Sequence, residues 1–167
     1  MPKFRKSLRL PNYDYSQVGY YFVTMCVQDR ECLLGECIAG SMRINSAGLL
    51  IEESWLELQR HYVRVVLDRH VVMPNHFHGI LALNDVSETD SKKISGHGLP
   101  ELIRAFKSFS ARRVNNLRKT PGERVWQRGY HEHVIRNEED YLRIAEYIES
   151  NPARWSEDSL NPDNANP

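Results

Sequence analysis

Cysteine is scarce in this chain, and what there is does not pair. Cys26, Cys32 and Cys37 make an odd set with no C-x-x-C spacing among them. That excludes a disulfide framework and a paired-cysteine redox or zinc motif, and it predicts plain buried thiols in a reducing, cytoplasmic setting. Long apolar runs are lacking too. None approaches the roughly 20 residues that cross a bilayer, so no membrane partner is expected. The opening stretch MPKFRKSLRLPNYDY is basic but has no apolar core, and does not read as a secretory signal. A GxxxxGK[ST] run is missing as well, so nothing suggests a chemistry driven by nucleotide hydrolysis.

Net charge is also absent, because 22 basic side chains balance 22 acidic ones. The balance hides a segregation. Residues 100–136 hold nine basic side chains against three acids, whereas residues 137–167 hold eight acids against Arg143 and Arg154. A solvated helix face would explain the cationic stretch, but RAFKSFSARR interleaves aromatics with bases. That pattern suits a polyanion such as nucleic acid.

A length of 167 residues fits one domain, expected over 1–155, with a polar and flexible tail at 156–167. YYFVTMCVQ (20–28) reads as a strand. GECIA and MRIN read as a hairpin turning at Gly40-Ser41, and VVLDRHVVM and HFHGILAL as two strands joined by a Pro74-Asn75 turn. Helical spacing of apolar residues predicts one helix capped by Asn45 or Ser46, a second over LPELIRAFKSFSARRVNNLRK, and a third capped by Asn137 that stops before Pro152. NDVSETDSKKISGHG (84–98) has no apolar period and reads as a loop, and RVWQRGYHEHVI as extended chain. Strands that follow one another pair antiparallel. The order therefore predicts an α+β sandwich, a mostly antiparallel sheet flanked by helices.

Two histidines interrupt the fifth extended run, VVMPNHFHGILAL. In a strand, residues two apart point to one face, so His76 and His78 lie side by side while Phe77 points away. They form either half of a metal site or two polar groups on a wet face. Tyr147 and Asn151 are four apart on the last helix and share a face. If that helix crosses the histidine face, the Asn151 amide oxygen becomes a third metal ligand with Tyr147 beside it. A second pair, His131 and His133 around Glu132, offers an alternative: a zinc-dependent hydrolase using both H-x-H pairs. A further alternative is a non-catalytic nucleic-acid-binding module.

VVMPNHFHGIL, VWQRGYHEHVIRNEEDY and YIESNP, in that order, resemble the single-tyrosine HUH transposases, and most of all the REP-associated tyrosine transposases. The resemblance runs from about residue 13 to 155. It implies an HUH endonuclease fold, a ferredoxin- or RRM-like sandwich, working as monomer or homodimer. It also implies a nucleophile at Tyr147 and a divalent ion, Mg2+ or Mn2+, on His76, His78 and Asn151. The implied reaction is metal-dependent cleavage and rejoining of single-stranded DNA through a 5′-phosphotyrosine, on hairpins of the repetitive extragenic palindrome type. Arg104, Lys107, Arg112, Arg113 and Arg128 are then the expected phosphate contacts, and Trp126 a surface for stacking a base.

Overall fold

The computed structural model describes residues 10–86 and 97–164. Its elements run β1 (Gly19–Cys26), β2 (Gly35–Ile38), β3 (Ser41–Ile44), α1 (Ser46–His61), β4 (Val65–Val72), β5 (His76–Leu83), α2 (Leu99–Arg118), β6 (His131–Ile135) and α3 (Glu138–Ser150). Side chains set the helix starts where capping chemistry predicts. The Asn45 Oδ1 accepts from the Gly48 N–H at 2.9 Å, and the Asn137 Oδ1 from the Asp140 N–H at 2.8 Å. The β2–β3 turn falls one residue earlier than expected. Ala39 (φ 49°) and Gly40 (φ 75°) both take the left-handed conformation that a two-residue hairpin turn requires.

Strands β4, β5, β1 and β6 form one antiparallel sheet in that order, while β2 and β3 pair only with each other. β5 is central and buried along its whole length, which is why its sequence is apolar almost throughout. Its alternation sorts two layers. Phe77 and Leu81, with Tyr21, Val23 and Met25 of β1, pack against Ile51 and Trp55 of α1 and Leu102 and Phe106 of α2. The opposite face turns His76, His78 and Ile80 toward α3, whose Ile144 and Ile148 close on Ile80. A Cβ on Gly79 would stand 2.6 Å from the Trp55 ring, so the strand narrows there to admit the indole. Complete burial of a side chain of this class stabilises by roughly 1.5–3 kcal/mol.

Two stretches depart from expectation. Of residues 124–135, only His131–Ile135 is a strand, with a lone bridge from Trp126 to Val27. The carbonyls of residues 127–129 are taken by the Lys107 ammonium instead of a strand partner. The C-terminal segment, expected as a polar tail, carries regular backbone turns through residue 164. It folds into 3-10 turns at Trp155–Glu157 and Pro162–Asn164, closed by the Asn161 and Asn164 amides on the carbonyls of Trp155 and Ser156. Its polarity satisfies its own backbone. Most of the expected loop at 84–98 lies outside the described residues, and no helix among the described residues is long and apolar enough to cross a membrane.

Candidate active site

The β1–β5 register places Thr24 opposite His78 and Cys26 opposite His76. Both imidazoles are buried, with ring centroids 4.6 Å apart. Their second nitrogens are fixed by neighbours. The Asn75 amide nitrogen donates to the carbonyls of Arg30 (3.0 Å) and Leu160 (2.8 Å), so its oxygen is the atom that meets His76 Nδ1 at 2.9 Å. His76 Nδ1–H must then be the donor, which leaves the lone pair on Nε2. His78 Nδ1 lies 2.7 Å from the Thr24 hydroxyl, and His78 Nε2 is buried with no hydrogen-bond partner among the described residues.

α3 brings the other two groups across this face. Tyr147, 40% exposed, lies with its ring 5.2 Å from that of His78 and edge-on to Phe22. Asn151, the buried residue at the end of the helix, sets its Oδ1 3.3 Å from His76 Nε2. A fourth group comes from the C-terminal segment: the Asp158 carboxylate reaches within 3.8 Å of His76 Nε2.

Burial pushes the His76 imidazole down to about 4, against the pull of the Asp158 carboxylate and the Asn151 hydrogen bond. Burial and the neighbouring His76 likewise hold His78 well below the usual histidine range. Both rings are therefore neutral at pH 7. An acceptor nitrogen, an amide oxygen and a carboxylate converge without a donor among them, and a second buried nitrogen stands unpartnered. A buried nitrogen without a partner among the described residues, beside an amide oxygen and a carboxylate, leaves room for a water or a cation. Among the described residues no three His, Cys, Asp or Glu side chains cluster as a ready metal site, so a bound ion would need the Asn151 oxygen. Neutral imidazole nitrogens with an amide oxygen suit a divalent ion. The Tyr147 phenol is pushed up by burial and by Asp158, with the Asn151 hydrogen bond and the charge on Arg154 acting the other way.

The second histidine pair stays apart. His131 and His78 both register with Thr24, one from each side, so two strand spacings of about 4.8 Å separate them. His133 pairs with Asp140 instead, at 2.6 Å. The four-histidine zinc arrangement is thus not formed. Tyr141 donates to Asp68 at 2.9 Å and Tyr130 packs against the core.

The expected DNA contacts divide. Trp126 is a core residue, its ring against Phe106 and its indole N–H donating to Ser110 at 3.0 Å, with no open face for a base. Lys107 is committed to the carbonyls of Gln127, Arg128 and Gly129. Arg113 pairs with Glu53 at 2.6 Å, in the α1–α2 layer, and exposed Arg112 borders a groove of that same layer. Arg104 and Arg128 remain exposed and border one shared groove. The cysteines are not buried thiols: Cys32 is exposed, and Cys26 and Cys37 are half-buried. Thr24, Asn75 and Asp158 were not expected at the site. Asn75 alone carried a signal, as the turn residue directly before His76.

No family model matches the chain. An uncharacterized protein of Haemophilus influenzae strain Rd is 34% identical over 172 residues, covering 93% of this chain and 92% of that one. Among solved structures, a REP-associated tyrosine transposase bound to a REP hairpin superposes at a TM-score of 0.60, with 21% identity over 92% of this chain and 74% of that one. The chain therefore belongs to one family with the Haemophilus influenzae protein, and its fold is that of a REP-associated tyrosine transposase.

Proposed function

We propose that the protein cuts and rejoins single-stranded DNA at the foot of hairpins, with Tyr147 as the nucleophile. The observation that carries this reading is the Tyr147 ring centred 5.2 Å from that of His78, whose buried Nε2 has no hydrogen-bond partner among the described residues. The hairpin bound to the structural neighbour supports the substrate class.

A divalent cation, Mg2+ or Mn2+, held by His76, His78 and Asn151 would supply Lewis-acid polarisation of the scissile phosphate. The chain's own groups do the rest. The Tyr147 oxygen attacks phosphorus and forms the tyrosyl ester as the P–O3′ bond breaks. The phenol gives up its proton, and the leaving oxygen departs as a 3′-hydroxyl after gaining one. Attack by a second 3′-hydroxyl reverses these steps and joins a new strand. The bond is exchanged and not hydrolysed, so no nucleotide cofactor is needed.

A free phenol near pKa 10 is only about one part in a thousand ionised at pH 7, and burial lowers that fraction further here. Asn151 opposes this by hydrogen bonding to the phenol, so it serves the nucleophile as well as the ion. Incubation with a labelled hairpin oligonucleotide and Mn2+ is expected to give a protein–DNA adduct that survives denaturant. Tyr147→Phe is expected to form none while binding the same hairpin as tightly. An adduct persisting in that variant overturns the assignment.

A further inference from the structure

Beside the histidines, on the β6 side of β1, lies an open cleft of about 860 Å3. Thr24 and Cys26, the strand partners of His78 and His76, line it, so cleft and site adjoin across β1. The volume is at the upper end of the roughly 300–1,000 Å3 in which bound small groups sit. Arg30, Arg124 and Arg128 line it, all three exposed, and none of them is in an ion pair among the described residues. They differ in this from Lys107 and Arg113, whose charges already have partners. Asp29 is the one acid on the walls.

Both walls are built to hold their shape. On one side, Lys107 binds three successive carbonyls, 127–129, and the Gln127 N–H donates to the Cys26 carbonyl at 2.9 Å. On the other, Asp29 (φ 57°) and Arg30 (φ 56°) are both left-handed, a conformation that costs of order 1–3 kcal/mol per residue and persists only when neighbours enforce it. Asn75 does so, accepting from the Val27 N–H and donating to the Arg30 carbonyl. The same Asn75 orients His76. Three unpaired guanidinium groups, the carboxamides of Gln28 and Gln127 and a preformed floor make a seat for a short phosphodiester segment.

We infer that this cleft seats the single-stranded nucleotides flanking the scissile phosphate, with Arg30, Arg124 and Arg128 gripping their phosphates. The inference rests on the reading of Tyr147 and the histidines as a DNA-cutting site, but its test does not use their chemistry. Binding is measured by fluorescence anisotropy in EDTA, where no cleavage occurs, for a labelled hairpin carrying a single-stranded foot and for the same hairpin made blunt. The Arg30→Ala/Arg128→Ala variant is expected to lose at least about tenfold in affinity for the footed hairpin, and its salt slope is expected to fall by about 0.7 per phosphate contact removed. Blunt-hairpin affinity is expected to change less than about twofold. Arg124→Ala gives a second, independent truncation of the lining, expected to weaken only footed binding. Arg60→Ala, on the exposed end of α1, controls for loss of bulk charge and is expected to match the wild type.

A wild-type protein that binds footed and blunt hairpins equally overturns the inference. So do cleft variants that lose affinity for both hairpins alike, or for neither. If footed binding maps to the cleft but no adduct ever forms with Mn2+, the seat stands and the cutting chemistry falls.

Discussion

At the level of single side chains, Thr24 and Asn75 matter as much as the groups they touch. A metal-ligating histidine needs its other nitrogen occupied by an acceptor, which fixes the ring and raises its basicity. Asn75 does this for His76 through an amide whose orientation two backbone carbonyls lock, and the Thr24 hydroxyl is placed to do it for His78. Thr24→Val is expected to weaken Mn2+ binding by about 10–100-fold, read by titration calorimetry, with little change in melting temperature. Unaltered affinity would mean that the His78 tautomer is set elsewhere. Local periodicity made the principal residues legible: two apart on a strand for His76 and His78, four apart on a helix for Tyr147 and Asn151. It could not reveal Thr24, which sits 54 residues from His78 and meets it only through the register of β1 on β5. Nor could it tell which arginines lack partners. Arg113 stands in the most basic stretch of the chain, yet its charge is met by Glu53, 60 residues away.

Among the elements, β5 and α3 carry the site, and each depends on one small feature. β5 lies against α1 only because Gly79 has no side chain where the Trp55 ring comes through. Gly79→Ala is expected to cost about 1–3 kcal/mol, the usual penalty for overfilling a packed interior, and to lower the melting temperature accordingly. α3 begins on the Asn137 cap, with Glu138, Glu139 and Asp140 at its positive end. Asn137→Ala is expected to cost about 1 kcal/mol by urea titration, and the loss should be felt at Tyr147 three turns later as a slower adduct-forming step. These elements were readable because capping and alternation are written into neighbouring residues. The strand expected over 124–135 was misjudged for the opposite reason. Its extended propensity is real, but an ammonium from α2 takes the carbonyls that a ladder would have used.

For the whole molecule, the buried neutral histidines tie stability to acidity. An imidazole free in the unfolded chain titrates near 6.5, whereas His76 in the fold titrates at about 4 and His78 is also depressed. Between those values the unfolded chain binds more protons, so stability rises with pH across the window. It is complete above about pH 6.5 and is lost progressively as pH falls toward about 4. Thermal melts in metal-free buffer are expected to show a falling midpoint over that range, and a flat profile would contradict the burial of these rings.

The junction of Asn75 with the Leu160 carbonyl has a practical corollary for anyone shortening the chain. Trimming at residue 155, where polarity suggests the fold has ended, would strip a buttress from beneath the His76 imidazole and from the turn carrying Arg30. A shortened protein that failed to cut DNA would then report damage to the scaffold, and say nothing about whether the missing residues ever meet the substrate.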